Sequence, residues 1–108
     1  MQIIPRDHYT AFDELTAELA SRIVILGQRL ARILKSNYEV TRAAFLFTGG
    51  DIAHAHAHVV PMVAPTDITS RRYIAEEAIT FQPIATPSED ELGRVAFTLR
   101  GALRGREP

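Results

Sequence analysis

Apolar residues recur along the first third of the chain at intervals of three and four residues. This spacing places them on one face of an α-helix, which turns once in about 3.6 residues. The pattern predicts a long amphipathic helix over roughly residues 13–36, with Thr10 or Thr16 as its N-cap and Asn37 at its exit. Gly27, inside this helix, indicates a close contact with a neighbouring element. The apolar face consists of Leu15, Leu19, Ile23, Leu26, Leu30, Ile33 and Leu34.

Three segments have the pattern of β-strands. Met1–Pro5 is apolar and β-branched and is closed by a proline, and Val40–Phe47 mixes β-branched, aromatic and small residues. Residues 53–63 alternate strictly between two residue types, which is typical of a strand with two different faces. The glycine-containing segment Thr48–Asp51 predicts a tight turn, so the second and third strands are expected to form an antiparallel hairpin.

The second half of the chain carries weaker signals until its final helix. Thr69–Glu77 suggests a short helical segment, and Ile79–Ile84 suggests an edge strand. Ser88 and Glu91 have the spacing of a capping box, which predicts a helix through about residue 104. The order β-α-β-β-(β)-α predicts an α+β fold with an antiparallel sheet and helices on one side of it.

Length and charge exclude several classes of protein. The chain has 108 residues and is expected to form a single domain over residues 1–108. Twelve basic and thirteen acidic residues argue against a protein that coats nucleic acid, which needs an excess of positive charge. The longest apolar runs are far below the ~18–20 residues of a membrane span. The first ten residues lack a signal-peptide pattern, so we expect a cytoplasmic location. The absence of cysteine excludes zinc ribbons and thiol catalysis.

The most informative segment is a run of histidines that alternate with small residues. In a strand, His54, His56 and His58 point to the same face, spread over roughly 13 Å at about 3.3 Å per residue. The alanines between them point to the opposite face, where small side chains allow close packing against the long helix. One face is therefore suited to packing and the other to chemistry.

Three imidazoles in a row are suited to chemistry on phosphate. Neighbouring histidines disfavour each other's charged forms, which keeps the central ring, His56, neutral and nucleophilic. A neutral histidine that attacks phosphorus forms a phosphoramidate intermediate, which water then cleaves. The outer rings of His54 and His58 can donate hydrogen bonds to the anion. The nitrogen that attacks must be unprotonated, so the other ring nitrogen of His56 is expected to donate to a backbone carbonyl.

Two alternatives remain open for these histidines. They could have a purely structural role, or they could bind a metal ion, because adjacent histidines on one face can chelate zinc, nickel or copper. Such sites usually recruit a further ligand, and the chain has neither cysteine nor an HExxH motif. Chemistry on phosphate without a metal or cofactor is the favoured interpretation.

The segment HAHAHVV followed by Pro61 resembles the signature of the histidine triad (HIT) family, in which three histidines alternate with apolar residues. The resemblance extends to the segment Ile3–His8, which is similar to a family strand that ends in a proline, a basic residue and a histidine. It covers roughly residues 1–63. It implies a HIT-like fold, and a homodimer as the assembly.

The resemblance also implies an activity and roles for individual residues. Members of the family are nucleotide hydrolases or transferases that act on the α-phosphate of nucleoside phosphoramidates or dinucleoside polyphosphates. By this likeness His56 is the nucleophile that becomes nucleotidylated, and His54 and His58 contact the phosphate. The backbone carbonyl of His58 is expected to fix the tautomer of His56. No cofactor and no metal is implied.

The resemblance further suggests the substrate-binding residues. Gly50 and Asp51 stand where many members have Gln or Asn and then Ser or Thr, and a backbone N–H of Gly50 is suited to phosphate. Thr48 stands where an Asn precedes the turn, and His8 occupies a recurrent histidine position. Family members usually carry about forty residues before the first strand, so the chain is expected to be N-terminally short and to lack strands of the family sheet. These departures leave a catalytically impaired nucleotide-binding module as an alternative.

Overall fold

The computed structural model describes residues 1–48, 52–64, 67–68 and 86–105, and these residues form an α+β fold. The predicted fold class is thus confirmed. Two compact units are present, Met1–Val63 and Ala64–Pro108. The first unit contains three strands and the long helix, and the second contains the final helix. The expectation of a single domain stays a prediction.

The long helix, α1, spans Ala17–Asn37. The hydroxyl of Thr16 accepts a hydrogen bond of 3.2 Å from the backbone N–H of Leu19, so Thr16 rather than Thr10 is the N-cap. A side-chain cap of this kind stabilises a helix by about 1 kcal/mol. The start at residue 13 was wrong, because Phe12–Glu14 forms a separate 3₁₀ turn before the cap. The buried stripe of α1 consists of Ile23, Gly27, Leu30, Ile33 and Leu34, which confirms the apolar face apart from its first turn and the half-buried Leu26.

The exit of α1 has a backbone motif that composition does not reveal. Glu39 takes the left-handed conformation, with φ of 51°, and the N–H of Val40 donates to the carbonyl of Lys35 over 3.1 Å. This six-to-one hydrogen bond is the Schellman arrangement that ends many helices. The chain then turns directly into the next strand.

The sheet has three antiparallel strands, β1 (Gln2–Ile3), β2 (Arg42–Phe47) and β3 (Ala57–Met62), in the order β1-β3-β2. The β2–β3 pairing, in which Leu46 lies opposite His58, confirms the predicted hairpin. All three strands are shorter than expected, and β2 begins at Arg42 instead of Val40. β1 covers two residues of the predicted Met1–Pro5, and β3 begins at residue 57 instead of 53.

The core of the first unit lies between α1 and one face of the sheet. Ala57 and Val59 are completely buried on this face, and Ile3 pairs with Ala57. A Cβ atom added to Gly27 would collide with the ring of Phe45 on β2. Gly27 thus allows helix and strand to approach closely, which confirms the contact that the sequence indicated.

The final helix, α2, spans Glu89–Gly105. The hydroxyl of Ser88 accepts a hydrogen bond of 3.2 Å from the N–H of Glu91, as the capping-box spacing predicted. The predicted segments Thr69–Glu77 and Ile79–Ile84 lie outside the described residues. Among the described helices, none combines the length and the apolar character needed to cross a membrane.

Candidate functional site

The histidine segment has the two faces that the alternation predicts. Ala55, Ala57 and Val59 are buried, whereas the three histidines between and before them are half-buried. Of the three, only His58 lies within β3. The residues before Ala57 form hydrogen bonds to a loop instead of to a neighbouring strand. The backbone N–H of Ala55 donates to the carbonyl of Tyr9 over 2.7 Å. The loop that follows β1 therefore extends the alternating arrangement beyond the end of the sheet.

The ring of His54 has protein partners at both nitrogens. Its Nε2 lies 3.1 Å from the carbonyl oxygen of Pro5, and its Nδ1 lies 3.1 Å from Nδ1 of His8. The centroids of the two imidazole rings are 5.1 Å apart. A carbonyl oxygen only accepts hydrogen bonds, so Nε2 of His54 carries a proton.

The ring of His56 is oriented by one backbone contact. Its Nδ1 lies 2.8 Å from the carbonyl oxygen of His54 and donates to it. In the neutral ring the other nitrogen, Nε2, then has a free lone pair and is the nucleophilic atom. The expected contact with a backbone carbonyl is present, but the carbonyl of His58 was the wrong acceptor. The carbonyl of His54 is within reach because it lies two residues before His56, where the chain has not yet joined the strand ladder.

His58 lies beside His56 and contacts the residue that follows β2. The centroids of the two rings are 4.9 Å apart in an edge-to-face arrangement, and Nε2 of His58 is 3.0 Å from the hydroxyl of Thr48. Burial lowers the pKa of His58 below its ordinary value of 6.5, and the charges of His56 and of the Met1 amino group lower it further. Both effects favour a neutral His58 next to His56.

The structure thus brings the predicted residues together in two pairs, Thr48 with His58 and His8 with His54. Gly50 and Asp51, the other two predicted substrate contacts, lie outside the described residues. Sequence reasoning missed Pro5 and Tyr9, which act through their backbone carbonyls. A main-chain carbonyl has no side-chain signature, so only the folded path of the chain could reveal these two contacts.

A cavity of about 650 Å³ lies elsewhere in the first unit, between residues 4–7 and one side of α1. Apolar side chains line it together with Arg6, Arg22 and Arg29. None of the four histidines is in its lining. We place the candidate site at the histidines because a backbone contact orients His56 there and leaves the lone pair of its Nε2 available.

The described residues contain no group of three or more histidine, cysteine, aspartate or glutamate side chains arranged to hold a metal ion. The ring of His54 is turned toward Pro5 and His8, while His56 and His58 contact each other.

Comparison with solved structures reveals the same fold in several histidine triad proteins. A HIT-like protein involved in cell-cycle regulation from Bartonella henselae has a TM-score of 0.67 and 16% identity, over 94% of this chain and 68% of that chain. A zinc-bound histidine triad family protein from Mycobacterium smegmatis has a TM-score of 0.63 and 23% identity, over 96% and 68%. This chain has the histidine triad fold. A HIT family protein from Bacillus anthracis has a TM-score of 0.55 and 21% identity, over 94% and 70%.

The likeness lies in the fold rather than in the sequence. No family model matches the chain, and no curated protein matches it either. The resemblance that the HAHAHVV segment suggested is therefore confirmed at the level of the histidine triad fold. The chain spans about two thirds of the length of the first two structures.

Proposed function

We propose that this chain is a nucleotide-binding hydrolase or transferase of the histidine triad type, with His56 as its nucleophile. The observation that supports the proposal most directly is the hydrogen bond of 2.8 Å from Nδ1 of His56 to the carbonyl of His54. It leaves the lone pair of Nε2 available in the neutral ring. The likeness of the fold to histidine triad proteins supports the same class of activity.

The proposed reaction proceeds in two steps at the α-phosphate of a nucleoside phosphoramidate or a dinucleoside polyphosphate. Nε2 of His56 forms a bond to phosphorus while the P–N or P–O bond to the leaving group breaks, and the leaving group takes up a proton. Water then attacks the nucleotidyl-histidine, the bond between phosphorus and Nε2 breaks, and a proton is released. The cycle consumes one water and restores the free imidazole.

His58 and Thr48 are the proposed phosphate contacts, because their polar atoms already lie together beside His56. A neutral His58 has one ring nitrogen that carries a proton and one that does not, so its ring can donate one hydrogen bond and accept another beside His56. Gly50 and Asp51 stay proposed as further substrate contacts. We propose no metal and no cofactor for this reaction.

The proposed partner is a small nucleotide, not a nucleic acid or a membrane, and the proposed assembly is a homodimer in the cytoplasm. The near balance of twelve basic and thirteen acidic residues supports a small anionic ligand over a nucleic-acid backbone.

Hydrolysis of an adenosine phosphoramidate tests the proposal. His56→Ala removes the nucleophile, so kcat/KM should fall by about a thousandfold or more, as in other enzymes that lose a covalent nucleophile. Ser36→Ala, an exposed change in the last turn of α1, is the control and should retain the wild-type rate. A His56→Ala rate within tenfold of wild type would contradict the assigned role.

Two further measurements separate the alternatives. Tight nucleotide binding by isothermal titration calorimetry, without any turnover, would indicate the impaired binding module and contradict the enzyme. Equilibrium dialysis against micromolar zinc tests the metal-binding protein, which requires at least one equivalent of retained metal.

A further inference from the structure

Both ring nitrogens of His54 form hydrogen bonds within the protein. Its protonated Nε2 donates to the carbonyl of Pro5 over 3.1 Å. In the neutral ring Nδ1 is then an acceptor, and Nδ1 of His8, 3.1 Å away, donates to it. Neither nitrogen of His54 is left to contact a phosphate while these two bonds are made. His54 is therefore suited to a different role from the one that the family resemblance implies.

The same loop also holds the backbone next to His54. Tyr9 follows His8 in the chain, and its carbonyl accepts a hydrogen bond of 2.7 Å from the N–H of Ala55. This N–H belongs to the trans peptide that joins His54 to Ala55. The N–H and C=O of a trans peptide point in opposite directions, so the contact with Tyr9 aims the carbonyl of His54 away from the loop.

The carbonyl aimed in this way is the acceptor for His56. The distance from Nδ1 of His56 to the oxygen of His54 is 2.8 Å. Three contacts of the loop, made by Pro5, His8 and Tyr9, thus hold the peptide that selects the tautomer of the nucleophile. Hydrogen bonds in series of this kind strengthen one another.

We propose that His8 is a positioning residue for the nucleophile and that His54 acts with it instead of contacting the phosphate. The hydrogen bond from His8 holds the ring of His54, the held ring keeps the His54 carbonyl in place, and the carbonyl keeps the proton of His56 on Nδ1. We call this series of contacts, from His8 through His54 to His56, the clamp. Without the clamp, the neutral ring of His56 can carry its proton on Nε2, where the proton blocks attack. The importance of Nε2 for turnover rests on the proposed function, whereas the position of the proton does not.

Nitrogen-15 NMR of the 108-residue chain at pH 8 measures the position of this proton directly. His56 of the wild type should show a protonated Nδ1 and an unprotonated Nε2, with the signals assigned by comparison with His56→Gln. His8→Ala should shift the tautomer population of His56 toward Nε2–H. His8→Asn should restore the wild-type spectrum, because its amide N–H can replace the Nδ1 donor. Asp7→Ala, a change at the exposed neighbouring position, is the matched control and should leave the spectrum unchanged.

Kinetics with an adenosine phosphoramidate provide the second readout. His8→Ala should lower kcat by about ten- to a hundredfold, the range expected for a mispositioned reacting group, with KM within about twofold of the wild type. His8→Asn should recover most of kcat. If His8→Ala fails to fold, His8→Phe keeps the ring volume without the donor and serves in its place.

The outcomes distinguish this proposal from the proposed function. An unchanged His56 tautomer in His8→Ala overturns the positioning role, and so does a rise in KM with constant kcat, which would mean that His8 contacts substrate. A tautomer shift in a chain that shows no turnover in the wild type supports the clamp and contradicts the proposed enzyme instead.

Discussion

The surroundings of His58 disfavour the charged form of its ring. It is half-buried, its Nε2 lies 3.0 Å from the hydroxyl of Thr48, and its ring stands edge-to-face with His56. Burial penalises the charged imidazole, and the charge of His56 adds to this effect. Both interactions lower the pKa of His58.

We expect His58 to titrate below pH 6.5 when its ring proton signals are followed by NMR. In His56→Asn the midpoint should rise, because one neighbouring positive charge is gone. It should still lie below 6.5, since burial is the largest cause and remains. A wild-type midpoint at or above 6.5, or an unchanged midpoint in His56→Asn, would contradict this description of the site.

The lowered pKa of His58 also predicts a pH dependence of stability. In the unfolded chain His58 has a pKa near 6.5, so between the folded pKa and 6.5 the unfolded chain binds more protons. The contribution to stability is fully present above pH 6.5 and is lost as the pH falls through the folded pKa. As the pH is lowered through this window, the free energy of unfolding, measured by urea denaturation, should fall more steeply for the wild type than for His58→Asn.

At the level of secondary structure, elements whose hydrophobic pattern repeats over many residues were predictable from the sequence. The points at which these elements begin and end were not. The 3.6-residue period identified α1, and the alternation around His56 identified the two faces of its segment. The start of β3 could not be read from the same alternation. Residues 54–56 continue the pattern but bond to the loop at Pro5 and Tyr9 rather than to a strand, and a hydropathy pattern does not distinguish these partners.

The packing of α1 on β2 predicts a sign reversal in a double-mutant cycle. Gly27→Ala improves helix propensity by about 1 kcal/mol, but the new Cβ would collide with the ring of Phe45. That ring also contacts Phe47 edge-to-face, with centroids 5.6 Å apart, so moving it loses a second contact. Overpacking costs about 1–3 kcal/mol, and we expect Gly27→Ala to lower the free energy of unfolding by about 1 kcal/mol.

In the background of Phe45→Ala the collision is absent, so Gly27→Ala should raise stability by up to about 1 kcal/mol. Gly93→Ala, at a position in α2 with nothing within 4 Å of the added Cβ, is the control and should be stabilising alone. Urea denaturation of the four chains of the cycle measures these differences. The same sign for Gly27→Ala in both backgrounds would show that Phe45 does not set the helix–strand contact.

For the whole molecule, the sequence predicted the fold class and the triad, and the histidine triad fold is what the solved structures share with it. The residues proposed to position the triad were harder to predict from the sequence. His8 was recognised as a candidate, but its partner was not, because the contact with His54 joins positions 46 residues apart. Contacts at such a separation depend on the tertiary path of the chain.

The proposed homodimer can be tested by measuring the molecular mass of the protein in solution. Within the described residues β2 is the last strand on its side of the sheet, and an edge strand presents backbone groups that can pair with another chain. Sedimentation equilibrium at tens of micromolar should give twice the chain mass of 12.0 kDa. A mass of one chain under these conditions would contradict the homodimer.

In the proposed reaction, Nε2 of His56 becomes covalently bonded to a nucleotide. Wild-type protein mixed with an adenosine phosphoramidate, quenched within milliseconds and digested at neutral pH, should yield an adenylylated peptide whose fragment masses place the adduct on His56. His56→Ala should yield no adduct. Turnover without any adduct, or an adduct located on His54 or His58, would contradict the proposed role of His56 as the nucleophile.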